Sequence, residues 1–113
     1  MSTKTAEGAQ TDGAQSTSIS PISLGGKRIA PSEATIVIEV YTTSTGVEAV
    51  ATAGTLLLEG LTNQGAFYKE LYTFDLTDVD NIYELSGRYV DLKFTPTALD
   101  ADKTWKAIIN SGG

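Results

Sequence analysis

Two stretches of the chain alternate apolar and polar residues with a period of two: ATIVIEVY (Ala34–Tyr41) and RYVDLKFT (Arg88–Thr95). Successive side chains of a β-strand point to opposite faces, so this period predicts two strands that each bury one face. In the second stretch the residues predicted to face inward are Val90, Leu92 and Phe94. The body of the chain is therefore expected to be built from β-sheet.

Five further segments are predicted as strands, each bounded by turn residues: VEAVATA, GTLLLEGL, AFYKELYTF, NIYELSG and KTWKAIIN. The last segment places Trp105, Ala107 and Ile109 on one face. No βαβ rhythm and no long amphipathic helix is present in the sequence. Short strands spaced by roughly ten residues are typical of sandwiches and barrels. The predicted fold is all-β, an antiparallel β-sandwich or barrel-like domain of about seven short strands.

The segment AFYKELYTF suits either a helix or a strand, and its aromatic residues and the preceding TNQG turn favour a strand. Tyr68 and Tyr72 lie on one side of that strand, and Phe67 and Leu71 lie on the other. Both sides are apolar enough to bury. The sequence leaves open which of them faces the core.

The first quarter of the chain has a different composition, dominated by Ser, Thr, Gly, Ala and Gln. It predicts an extended polar N-terminal arm over residues 1–32, followed by the β-sandwich domain over residues 33–113. Ordering the stretch from Ser16 to Pro31 costs on the order of 15–30 kcal/mol of backbone entropy. Burying its four large apolar side chains returns only about 6–12 kcal/mol. The arm is therefore expected to depend on a neighbouring subunit for order, and removal of residues 1–30 to leave the sandwich folded.

The second half of this arm carries spaced apolar and basic residues that suit docking. Pro21 and Pro31 favour an extended backbone, and Gly25 and Gly26 permit a bend. The predicted subunit interface consists of Ile19, Ile22, Leu24, Lys27, Arg28 and Ile29.

Charge and composition argue against several classes of function. The net charge is −6, and it comes from the body, because the cations and anions of the first 33 residues balance. Nucleic-acid binding needs clustered Lys and Arg, so no nucleic-acid partner is expected. No apolar run approaches the length of a membrane span, so no membrane partner is expected. The chain has no Cys and no His, which removes thiolate chemistry and the commonest general base and metal ligand.

The acidic turn DLTDVD groups Asp75, Asp78 and Asp80. Oxygen clusters of this kind bind Ca²⁺, but the spacing differs from that of an EF-hand loop. We expect a solvated turn in which Asp78 caps local N–H groups, and no metal site.

Two further features invite a sharper interpretation. Trp105 could stack on a sugar, but the sole Trp of a small sandwich is more often a core or interface anchor. Glu59 and Glu70 could form the carboxylate pair of a glycosidase. A small body with short loops has little room for a substrate cleft, and Ser has no His to activate it. We therefore expect no enzymatic activity, no catalytic residue and no cofactor.

Three blocks of the body follow one another in a recognisable order: GTLLLEGLTNQGAFYKELYTF, YELSGRYVDLKFTPTAL and TWKAIINSGG. This order resembles that of small β-sandwich structural proteins of tailed bacteriophage virions. There a GT-apolar-x-apolar-EG strand leads through a turn to an aromatic strand, and a Gly-Arg/Lys-Tyr strand follows later. The matching stretches here are Gly54–Gly60, Phe67–Phe74, Gly87–Phe94 and Trp105–Gly113.

The resemblance implies a virion location and a role as capsid cement or decoration, tail component or fibre module. The spaced anchors of the arm favour the cement role, with the major capsid protein or tail subunits as partners and a homo-oligomer as the assembled form. The alternative is a tail fibre or receptor-binding module that recognises cell-surface glycan, in which the arm need only be a polar tether.

Overall fold

The computed structural model of the chain describes residues 2–18, 22–24, 27–29, 33–62, 65–87 and 89–111. For residues 22–24 and 27–29 it describes the backbone alone. Within these residues the strands are β1 (Ser2–Ala9), β2 (Gln15–Ser18), β3 (Ile22–Leu24), β4 (Lys27–Ile29), β5 (Glu33–Thr42), β6 (Thr55–Thr62), β7 (Lys69–Asp75), β8 (Asn81–Ser86), β9 (Tyr89–Thr97) and β10 (Lys103–Ser111), and a 3-10 turn lies at Gln10–Asp12.

Eight of these strands form two antiparallel four-stranded sheets. The first sheet has the order β1-β10-β5-β8, and the second has the order β2-β9-β6-β7. Apart from the β6–β7 hairpin, the sandwich strands alternate between the two sheets, and β1 lies beside β10 while β2 lies beside β9. This is the connectivity of a jelly roll. The predicted all-β sandwich is confirmed.

The core lies between the two sheets and is entirely apolar at its centre. The side chains that are less than 2% exposed are Trp105, Phe74, Phe94, Ile36, Leu56, Leu58, Leu76, Leu92 and Ile109. They include two of the three inward-facing residues predicted for β9, and the predicted face of β10 is fully buried. The third predicted residue of β9, Val90, is only partly buried.

The boundary predicted at residue 32 is wrong for the first half of the arm. β1 pairs along its whole length with β10, from Ser2 opposite Ser111 to Ala9 opposite Thr104. β2 pairs with β9, from Gln15 opposite Phe94 to Ser18 opposite Asp91. Residues 2–18 therefore supply one outer strand to each sheet, and they belong to the sandwich instead of preceding it.

This pairing was missed because β1 and β2 contribute small or polar side chains to the interior. Ala6 and Gly8 are the buried residues of β1, and they lie opposite Ala107 and Trp105 of β10. Burial of large apolar side chains is not the only source of order for such a segment. An edge strand also gains backbone hydrogen bonds from a sheet that is already formed, and each is worth about 0.5–1.5 kcal/mol net.

Gln10 joins the N-terminal segment to β9 and to the loop after it. Its Nε2 donates to the carbonyl oxygen of Pro96 at 3.2 Å, and its Oε1 accepts from the N–H of Leu99 at 2.9 Å. The pairing of β2 with β9 stops at Gln15 and Phe94, so the Gln10 amide continues the hydrogen bonding where the backbone ladder ends. Pro96 lies within β9 and does not end it, because its missing N–H faces this unpaired side and not β6.

Gln10→Ala is expected to lower the free energy of unfolding by about 1–3 kcal/mol, because two partly buried backbone groups lose their partner. Urea denaturation followed by Trp105 fluorescence measures the change. Thr11→Ala, at an exposed position of the same turn, is the control and should stay within about 0.5 kcal/mol of the parent. Equal, small effects at both positions would show that residues 2–18 are not tied to the sandwich.

Two other expectations need correction or completion. VEAVATA is not a strand; it forms a single bridge, Tyr41 with Glu48. AFYKELYTF is a strand only from Lys69 onward, and a bulge opposite Leu58 and Glu59 leaves Leu71 as an extra residue. The bulge shifts the alternation, so neither predicted side of β7 is buried as a whole.

Beyond the bulge, the side chains of β7 change from exposed to buried within three residues. Phe74 is fully buried, whereas Tyr72 is 47% exposed at the edge of the sandwich. There the Tyr72 ring stacks on Tyr83 with centroids 5.0 Å apart, and Phe67 lies outside the strand and is 75% exposed.

Candidate functional site

Five of the six predicted interface residues fall on a two-stranded hairpin, and within the described residues this hairpin pairs with neither four-stranded sheet. β3 pairs with β4 in the register Ile22 opposite Ile29, Ser23 opposite Arg28 and Leu24 opposite Lys27. Ile19 lies outside the described residues, and only the backbone of the other five is described. Their role as an interface therefore remains a prediction.

The register of the hairpin gives it two unlike faces. Residues directly opposite one another share a face, and so do residues two apart in a strand. Ile22, Leu24, Lys27 and Ile29 thus share one face, and Ser23 and Arg28 share the other. A two-stranded hairpin alone is at best marginally stable in water, so a hairpin of this kind gains stability by packing against another surface.

A cleft opens beside β5, just past the position where β8 stops pairing with it at Ile38. Its volume is about 380 Å³. We call it the acidic cleft, and it is lined by Ile38, Glu39, Val40, Glu48, Ala49, Val50, Asp78 and Val79. Three are carboxylates, and two apolar side chains remain well exposed there, Val50 at 42% and Val79 at 74%.

One wall of the acidic cleft is held against β5 by backbone hydrogen bonds. The N–H of Ala49 donates to Val40 O at 2.8 Å, and the N–H of Thr42 donates to Val47 O at 2.9 Å. These bonds flank the Tyr41–Glu48 bridge and fix Glu48 at the rim. The Tyr41 hydroxyl donates to the Glu39 carboxylate, and this hydrogen bond, together with burial, raises the pKa of Tyr41 to about 12.

The opposite wall is the acidic turn. Asp78 Oδ1 accepts from the N–H of Asp80 at 3.2 Å, and the buried Asn81 donates its Nδ2 to the carbonyl oxygens of Asp75 and Asp78 at 2.8 and 3.1 Å. The predicted cap at Asp78 is confirmed. The sequence did not predict the role of Asn81, whose buried side chain stabilises the turn. A polar residue at the start of a strand is not expected to be buried.

Asp75 caps the same turn from its first position. Its Oδ1 accepts from the N–H of Thr77 at 3.0 Å and from Thr77 Oγ1 at 2.7 Å, and these bonds lower the pKa of the Asp75 carboxyl. Among the described residues, no group of three or more His, Cys, Asp or Glu side chains is arranged to hold a metal ion.

Because the pKa of Asp75 is lower in the folded chain than its ordinary value of 3.8, its contribution to stability is present above pH 3.8. That contribution is lost as the pH falls through the folded value. Asp75→Asn is therefore expected to flatten the loss of stability on acidification below about pH 4. Thermal unfolding between pH 2 and 6 measures this (roughly the carboxylate range). Asp80→Asn, the same change of charge in the same turn, is the control, and an identical flattening there would contradict the assignment.

A second cluster lies on the outer face of the second sheet. The Tyr68 hydroxyl donates to Asp91, which raises the pKa of Tyr68 to about 12. Lys93 Nζ lies 4.4 Å from the centre of the Tyr68 ring and 3.7 Å from Glu59 Oε1. Together these contacts hold the end of the β6–β7 loop across the sheet, next to the exposed Phe67.

The other candidate residues have structural positions. Trp105 is fully buried and packs against Phe94 with ring centroids 5.6 Å apart, so it is a core anchor and no platform for a sugar. Glu59 and Glu70 lie opposite one another on β6 and β7, and neither lines the acidic cleft. In the described part of the chain, no helix is long and apolar enough to cross a membrane.

The fold and the surfaces define the chain as a jelly-roll sandwich with an extra hairpin and an acidic cleft. No protein-family model matches the sequence, and no curated protein matches it either. Among solved structures, AlgX of Pseudomonas aeruginosa superposes with a TM-score of 0.55 at 10% identity, over 98% of this chain and 26% of AlgX. This chain thus spans about a quarter of AlgX.

Two further structures are less similar. The NLP core of Drosophila has a TM-score of 0.41 at 7% identity, over 98% of this chain and 96% of that one. RmlC of Streptococcus suis has a TM-score of 0.33 at 12% identity, over 97% of this chain and 45% of that one. At these identities the likeness concerns the fold alone.

Proposed function

We propose that this chain is a non-enzymatic structural protein of a virion, acting as a capsid cement or decoration protein. One observation carries the proposal: in the part of the chain that the structure describes, the β3–β4 hairpin pairs with no strand of either four-stranded sheet. An eight-stranded sandwich is complete without it, so the hairpin is available for contact with other subunits. The resemblance of the body to β-sandwich proteins of tailed phages supports the same role.

In this proposal the sandwich is a rigid body and the hairpin is the docking element. Residues 2–18 no longer form part of the arm, because they complete the two sheets. The docking segment shortens to residues 19–32, which retain all six predicted interface residues. Three apolar residues of the hairpin share a face with Lys27, a composition suited to an apolar surface with acidic groups at its edge.

The location is tested by immunogold electron microscopy of particles released from the source organism, with antibody raised against this chain. Labelling spread over capsids supports the cement role, labelling confined to tail tips supports the fibre alternative, and particles without label contradict both. A variant in which residues 22–29 are replaced by an equal length of Gly and Ser then tests the hairpin. It should fold normally and lose binding to capsids stripped of this protein, whereas Phe67→Ala should bind them as the parent does.

The alternative function, recognition of cell-surface glycan, has one observation in its favour. Phe67 is exposed beside the Tyr68, Asp91 and Lys93 cluster, and an aromatic surface next to charged hydrogen-bonding groups suits a sugar. Binding to a glycan array that is lost in Phe67→Ala and kept in the hairpin replacement would favour this alternative over the cement role.

A further inference from the structure

We propose that the hairpin of one copy docks into the acidic cleft of a second copy, so that copies of the chain associate with one another. The inference rests on the proposed role of the hairpin as a docking element and names the surface that receives it.

The first argument is charge complementarity. Lys27 and Arg28 are the only charged residues between positions 13 and 32, whereas the rest of the chain carries six cations against fourteen acidic residues. Glu39, Glu48 and Asp78 all line the acidic cleft. The basic segment of one copy is therefore complementary in charge to the acidic cleft of another copy.

The second argument is the apolar surface at the same place. Val79 and Val50 are among the large apolar side chains left exposed in the cleft, and Val47 is 63% exposed beside it. The hairpin face that carries Lys27 also carries three apolar residues. A contact between the two surfaces would bury apolar residues on both sides and place Lys27 beside carboxylates, with Arg28 on the other face of the hairpin.

The third argument is the position of the hairpin along β5. β4 leads into β5 at Glu33, and the cleft is lined by Ile38 to Val40, roughly 17–23 Å further along that strand. The paired part of the hairpin is only about 10 Å long. The attachment point of the hairpin and the cleft thus lie toward opposite ends of β5, so the contact joins two unlike surfaces. It closes as a two-fold pair if each hairpin enters the cleft of the other copy, and otherwise it builds a ring or an open chain.

Sedimentation velocity of the pure full-length chain over a wide concentration range measures the association. The parent is expected to form oligomers that dissociate as salt is raised. Lys27→Glu and Glu48→Lys, each alone, should weaken association roughly tenfold or more, and the two together should restore a large part of it. Glu70→Lys, an exposed change of the same charge on the second sheet, is the matched control and should associate as the parent does.

The apolar contribution is tested by Val79→Ser, with Phe67→Ser as its control, because the two side chains are equally exposed at 74% and 75%. Only Val79→Ser should weaken association. A monomeric parent at every concentration, no restoration in the double charge exchange, or equal effects in the controls would overturn the proposal. One further outcome would also overturn it: the charge variants change the stability of the chain while the chain stays monomeric. In that case the hairpin would occupy the cleft of its own copy. Failure of capsid binding with intact self-association would contradict the cement role alone.

Discussion

Removal of residues 1–14 is expected to unfold the protein or to bring it to the edge of unfolding. The deletion strips β1 from β10 along eight paired positions and removes the Gln10 bridge to Pro96 and Leu99. It also uncovers the edge of the strand that carries Trp105. A loss on the order of 5 kcal/mol is comparable with the whole stability of a small domain.

Circular dichroism and urea denaturation of the truncated chain measure this effect. The control is the variant in which residues 22–29 are replaced by Gly and Ser, which leaves both sheets intact and should change stability by about 1 kcal/mol or less. A truncated chain as stable as the parent would restore the boundary at residue 32, with residues 1–18 as a true arm.

Trp105→Ala is expected to lower the free energy of unfolding by about 3–5 kcal/mol. The indole is fully buried between the sheets, lies opposite Gly8 and Val40 in the first sheet, and packs on Phe94 of the second. Trp105→Phe should cost clearly less. It keeps an aromatic ring in place and removes a buried Nε1 for which the described residues provide no hydrogen-bond partner.

Because these changes remove the only Trp, urea unfolding is followed by far-ultraviolet circular dichroism. Phe67→Ala, the loss of an exposed aromatic ring, is the control and should be nearly neutral. If Trp105→Ala proved as mild as this control, the assignment of Trp105 to the core would be wrong.

The strands with large apolar residues were predictable from the sequence because burial leaves a period of two. β5, β6, β9 and β10 alternate buried and partly exposed residues along most of their length, and each was predicted as a strand. The all-β class, the short connections and the buried face of β10 follow from that pattern. So does the solvated acidic turn, since Asx capping depends only on neighbours along the chain.

Which strands lie beside one another was decided by tertiary structure. β1 and β2 present Ala6, Gly8, Gln15 and Thr17 toward the interior, and these residues carry no hydrophobic period. Their pairing partners at β9 and β10 lie far away in the chain, from 73 residues for Ser18 and Asp91 to 109 residues for Ser2 and Ser111. A strand of this kind is stabilised by pairing with the edge of a sheet, so its own sequence does not predict it.

Among the surface features too, some are predictable from the sequence and others depend on the tertiary structure. The sequence by itself determined that a basic, apolar-anchored segment precedes an acidic β-rich body, because charge and residue type are local properties. Only the tertiary structure separated the hairpin from both sheets and gathered Glu39, Glu48 and Asp78 around exposed valines. Asp78 lies far from Glu39 and Glu48 in the chain, and the three carboxylates come together because the loop after β5 and the turn before β8 flank the same stretch of β5.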